Sequence, residues 1–203
     1  MKLKLFEIAS ISALFIVILM SVLSFESECK QIRQDCLRLH IIAASDSEKD
    51  QSLKLSVRDS ILEKTAFLFK DCRTKDETRE AIRNHIALIE KSAADTVREK
   101  GFDYNVKVEI GESFFPTRTY DKYTLPAGNY EAVKVIIGEG KGKNWWCVMF
   151  PALCLPCASE NEAEKVFGEN SMKIIESDPK YEVRFWIVEK IQQIKDKRNK
   201  TDI

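Results

Sequence analysis

Between Glu7 and Glu26 the chain holds an uncharged run, residues 8–25, that is apolar all round with no polar stripe. Such a run belongs in a membrane or a buried core rather than on an amphipathic surface. Its eighteen positions are just enough to cross a bilayer core of roughly 30 Å. Lys2 and Lys4 precede it, the charge order of a secretory signal or a signal anchor, whose positive end stays inside. Residues 1–25 therefore read as an export segment, cleaved or retained, and the polar residues 26–36 as a short linker. From Leu37 the period becomes two. Leu37, Leu39, Ile41 and Ala43 alternate with Arg38, His40 and Ile42, which predicts a strand.

Three helices announce themselves by the same capping device. Ser45 stands three residues before Glu48, Thr74 before Glu77 and Ser159 before Glu162. The first helix carries Leu53, Val57, Ile61 and Leu68 on one side. The second carries Ile82, Ile86, Ile89, Ala93 and Val97, with Gly101 placed where a C′ glycine belongs. The third holds Ala163, Val166, Phe167 and Ile174. Between the second and third, Tyr104, Val106, Val108 and Ile110 alternate as a strand, followed by strands over 129–137 and 145–150. Residues 138–144, rich in glycine and lysine, read as a hairpin loop with an exposed contact surface. After Pro179, spacing at Ile187, Ile191 and Ile194 favours a helix, with a frayed tail at 199–203. This order predicts an α+β domain over 37–198, its mostly antiparallel sheet packed by three to four helices.

Charge narrows the partner classes. The chain has 32 basic and 32 acidic residues in 203. Lys2, Lys4 and Glu7 fall in the first 24 residues, which leaves 30 basic and 31 acidic side chains beyond them. Nucleic-acid binding, which needs a basic excess, is not expected.

The chemistry-bearing residues are sparse. The only histidines are His40 and His85, and no pair sits at the i, i+4 spacing of a helix-borne zinc site. The loop Gly138-Glu-Gly-Lys-Gly-Lys-Asn144 lacks the spacing and the hydroxyl of a P-loop. Six cysteines, at 29, 36, 72, 147, 154 and 157, allow 15 pairings. Cys147 with Cys154 closes a short loop around Pro151, a bridge worth roughly 2.5 kcal/mol by loop entropy. Cys154-x-x-Cys157 is the rival pair and has the form of a redox motif. Two enzymatic alternatives thus stay open: a thiol oxidoreductase at Cys154 and Cys157, or a hydrolase using Cys147 with His40. Trp145-Trp146 points its indoles to opposite faces of a strand. Either one enters the core and the other lies outward as a binding anchor, or both are partly buried.

Several blocks together resemble the stage II sporulation protein R family. They are Leu37-Arg-Leu-His-Ile-Ile-Ala-Ala-Ser-Asp-Ser47, Asp50-Gln-Ser-Leu-Lys-Leu-Ser-Val-Arg-Asp59, Gly111-Glu-Ser-Phe-Phe-Pro-Thr-Arg-Thr-Tyr120 and Leu125-Pro-Ala-Gly-Asn-Tyr-Glu-Ala132. The last and most distinctive runs from Gly138 through Trp145-Trp146-Cys147 to Pro151. Ala44 stands where the family usually has Asn. The resemblance implies a signalling protein made in the forespore and exported to the septal intermembrane space, secreted or membrane-anchored. Its implied partner is a mother-cell membrane aspartic protease, stage II sporulation protein GA, which processes pro-sigma-E. It implies no catalytic residue and no cofactor or metal. On that reading the surface near His40, Asp46, Arg118, Lys141, Lys143 and Trp145 or Trp146 contacts the receptor.

Overall fold

The computed structural model describes residues 2–120, 122–153, 162–176 and 182–201. The apolar N-terminal run forms α1 (Lys2–Asp35), which does not stop at Glu26. Residues 26–36 are not a linker: Cys29, Ile32 and Cys36 there are fully buried, as is nearly all of Phe25. Phe25, Cys29 and Ile32 recur every three to four residues, a narrow helical stripe hidden among charged neighbours. One rod therefore has two environments. Residues 8–24 are exposed and uncharged, and residues 25–35 pack against the domain.

After α1 come β1 (Leu37–Ile42), α2 (Glu48–Thr65), α3 (Lys75–Asn84) and α4 (Ile86–Glu99). Then follow β2 (Val106–Phe115), β3 (Arg118–Tyr120), β4 (Tyr123–Leu125), β5 (Gly128–Ile137) and β6 (Asn144–Phe150). The chain ends with α5 (Glu162–Val166), α6 (Glu169–Ile175) and α7 (Glu182–Thr201). The main sheet has the order β2-β5-β1-β6. β5 pairs with β2 antiparallel and with β1 parallel, and β1 pairs with β6 antiparallel. The fold is α+β with a mixed sheet, and β3 and β4 form a separate two-stranded ribbon.

Both sheet faces are covered. On one, Leu37, Leu39 and Ile41 join Val133, Val135, Ile137 and Cys147 beneath Leu53, Val57 and Ile61 of α2 and Ile89, Ala93 and Val97 of α4. On the other, Phe115, Tyr130, Ala132 and Val148 meet Phe25, Cys29 and Ile32 of α1, with residues of β4, α6 and α7. The alternation along β1 thus marks two cores. Arg38 has no exposed surface and His40 only 7%.

Three local expectations are corrected. First, residues 138–143 do not close a hairpin, because β1 lies between β5 and β6. The loop passes over the end of β1, and its Lys141 and Gly142 N–H groups donate to Ala44 and Ala43 carbonyls. Second, α2 is capped by Ser47, not Ser45: the Ser47 hydroxyl accepts from the Asp50 N–H. Ser45 instead donates its hydroxyl to the Asp50 carboxylate at 2.5 Å. Third, the long second helix is broken at His85 into α3 and α4, and the third is split into α5 and α6. The Thr74 capping box forms in full. Gly101 and Phe102 donate to Arg98 and Val97 carbonyls, closing α4 with a Schellman pattern. Ser159 lies outside the described residues. The charged chain end continues as α7 to Thr201.

Candidate functional site

The distinctive sequence block lies at one corner of the sheet, where the β5–β6 loop turns into the outer strand β6. Gly138 and Gly140 adopt φ of 58° and 62°, which side chains rarely tolerate. At Gly142 the reason is space: a Cβ there would lie 2.2 Å from the Ser45 carbonyl oxygen. The glycines let the loop backbone lie against the β1–α2 junction rather than swing free. Polar groups then fix it. The Lys143 N–H donates to Asp46 Oδ1 at 2.7 Å, and Lys54 Nζ donates to the Lys143 carbonyl at 3.0 Å. Gln51 Nε2 donates to the Ser45 carbonyl at 2.8 Å, and Lys54 also donates to Gln51 Oε1. Lys141 and Lys143 remain exposed on this pinned loop, Lys141 paired with Glu139.

Trp145 and Trp146 point to opposite faces of β6, and both are half-buried. Each lies beneath an arginine: Arg58 of α2 over Trp145 and Arg118 of β3 over Trp146, both 4.4 Å from the ring centroid. Such stacking is worth about 0.5–1 kcal/mol when exposed and more when desolvated. Both indole N–H groups are buried and make no hydrogen bond among the described residues. Of the two alternatives the second holds: both rings are partly buried, and neither is the outward anchor.

His40 lies behind Trp146, stacked on it at 6.2 Å between ring centroids. Its ring nitrogens meet Ser113 Oγ at 2.8 Å and Asn144 Oδ1 at 2.9 Å. An amide oxygen only accepts, so Nε2 carries the proton and Nδ1 accepts from the Ser113 hydroxyl in the neutral ring. Burial depresses the His40 pKa, and the nearby cations Lys134 and Arg38 act in the same sense, against the Asn144 bond. His40 therefore holds β1, β2 and β6 together from inside and presents no contact surface of its own.

Arg38 ties this corner to the small ribbon, a role its sequence position did not suggest. Its Nε donates to the Cys147 carbonyl at 2.8 Å and its Nη2 to the Tyr120 hydroxyl at 2.5 Å. Tyr120 in turn donates to the Trp146 carbonyl at 3.2 Å. The guanidinium faces the rings of Phe115, Tyr130 and Tyr120 at 4.2, 4.7 and 5.3 Å. Aromatic faces and neutral oxygens thus take the place of a carboxylate counter-ion. The network holds β3, and with it Arg118, against β6.

The predicted site residues form one corner with two sides. Asp46, Lys141, Lys143 and Trp145 lie on the loop side, and His40, Arg118 and Trp146 on the ribbon side. The paired thiol and imidazole of a hydrolase are not assembled. Cys147 faces the α2–α4 core beside Leu39, while His40 faces the opposite side of the sheet. Cys147 is also disulfide-bonded, and Cys154 and Cys157 lie outside the described residues. Among the free cysteines, Cys36 is fully buried and its thiol is pushed up to about 12 by that burial, which makes it unreactive.

Comparison with known proteins places the distinctive block inside a family match. Residues 33–160 match the family model described as stage II sporulation protein R. The chain is 37% identical over 140 residues to stage II sporulation protein R of Bacillus subtilis (strain 168). That match covers 69% of this chain and 62% of the relative, so the chain spans about three-fifths of the relative's length. No solved structure matches.

Proposed function

Since this chain belongs to the stage II sporulation protein R family, a family of sporulation proteins, we propose that it is an exported, non-catalytic signal. Its target is the mother-cell membrane aspartic protease, stage II sporulation protein GA, which removes the pro-sequence of sigma factor E. The signal is made in the forespore and acts in the septal intermembrane space. The observation that carries this reading is the pinned corner, where exposed Lys141, Lys143, Arg118 and Asp46 surround half-buried Trp145 and Trp146 beside a loop fixed to the β1–α2 junction. A surface ordered before encounter loses little entropy on binding. Arginine and tryptophan are the residue types that dominate interface energetics.

The mechanism is differential binding. A ligand that binds active and inactive receptor equally shifts nothing. To raise an active fraction from 1% to 99% it must prefer the active arrangement by about 10⁴-fold. The corner acts on the receptor's conformation, and no bond is made or broken on this chain.

Co-expression in a non-sporulating host tests the reading. The host carries the protease and pro-sigma-E, with and without this protein, and a gel reads processing. Processing should depend on this protein and should persist when Cys154 and Cys157 are both serine. Processing lost in that double variant, with the chain still folded, would move the reading to thiol chemistry.

A further inference from the structure

The C-terminal helix α7 carries apolar side chains outside its buried stripe. Phe185 and Val188 turn inward and are buried, while Trp186 and Ile194 are 60% and 67% exposed and Ile191 also lies open. A helix of a soluble domain buries one apolar stripe and shows water a polar one, so these outward apolar side chains lack an occupant among the described residues. The position of the helix identifies one. Phe185 packs edge-on against Phe25 at 5.7 Å between centroids, and Gln192 Nε2 donates to Glu26 Oε1 at 3.0 Å. Residues 185 and 192 are about 10.5 Å apart along α7, yet the residues they touch on α1 differ in height by about 1.5 Å. α7 therefore runs across α1, not along it. It crosses at residues 25 and 26, where the exposed apolar run ends and charge returns at Glu26.

We propose that α7 is an interfacial helix that seats Trp186 and Ile194 on the surface of the bilayer that α1 enters. With α1 near the membrane normal, a helix lying across it at this level is parallel to the lipid–water boundary. Tryptophan is the residue favoured at that depth. Lys190 reaches over the Trp186 ring, with its Nζ 5.9 Å from the centroid. The α7 sequence carries six basic residues against three acidic ones, which suits anionic headgroups. Two attachments, a spanning helix and an interfacial one, fix the domain's orientation on the membrane where one would let it swivel.

The inference rests on α1 being held in the bilayer, and the test reads the two attachments separately. Full chain and its Trp186→Phe variant are reconstituted in vesicles of phosphatidylcholine and phosphatidylglycerol. Some of the lipid acyl chains carry bromine near the headgroup. Flotation of both proteins with the vesicles reports α1. Quenching reports α7, with Trp145 and Trp146 as an internal reference. The emission lost to bromolipid should equal the emission that W186F lacks, and W186F should be unquenched. A second variant, Ile194→Glu, should float normally and reduce the quenching. Equal fractional quenching of wild type and W186F, or none in either, would overturn the proposal. So would unquenched Trp186 in a chain that cross-links as a dimer, which would give these side chains to a second copy.

Discussion

Arg38 and His40 occupy the positions of β1 that the alternation assigned to the polar side, and both are buried. Each is there because a second layer covers that face. Arg38→Met should lower stability by about 3 kcal/mol, because the Tyr120 hydroxyl and the Cys147 carbonyl both lose a buried donor. Arg38→Lys should not rescue it, since one ammonium cannot reproduce the forked donors. Urea titration checks both. For His40 the folded pKa lies below the ordinary 6.5, so the unfolded chain binds the proton first as pH falls. Stability is then full above pH 6.5 and declines as pH drops through the folded pKa. Denaturation midpoints at pH 7.5 and pH 5.5 should show that fall in wild type, and a smaller one in His40→Gln. At the loop, Gly142→Ala forces a Cβ against the Ser45 carbonyl. It should destabilise the chain by more than 1 kcal/mol and lower processing with it, as read by thermal melting beside the gel.

At the scale of elements, α1 is where sequence and structure part most. The apolar run was legible because eighteen uncharged residues in series leave little choice. The following ten residues were not, because a stripe of Phe25, Cys29, Ile32 and Cys36 leaves a mean composition that is polar. A chain beginning at Ser24 should fold and melt cooperatively. One beginning at Leu37 loses that stripe and Arg33, which donates to the Ala127 carbonyl. The apolar burial alone is on the order of 5 kcal/mol, comparable to a whole domain's stability. That shorter chain should show no cooperative melt by circular dichroism. The four strands of the main sheet were likewise readable from period two, but the short β3 and β4 and the strand order were not. The parallel β1–β5 pairing depends on which strand the glycine loop passes over, and glycine content alone reads equally as a tight hairpin.

Across the whole molecule, the corner that carries the distinctive block and the end that carries α1 and α7 do different work. One presents a fixed polar and aromatic surface, and the other is the end proposed to meet the membrane. The residues of the corner were legible as a group because they sit in one uncommon sequence block. Their division of labour was not. Only the packing shows that His40 supports from within, that Arg38 locks the ribbon, and that Cys147 and His40 stand on opposite faces. The central claim is that the exposed corner switches on the receptor. Its most direct test is processing of pro-sigma-E in the co-expression host with Lys141→Glu and Lys143→Glu combined. Reversal of Lys91 and Lys173, two exposed cations elsewhere on the molecule, serves as control. With both proteins folded by circular dichroism and equally exported, the corner variant should lose at least tenfold in processing, and the control should match wild type. Equal processing by all three would contradict the account.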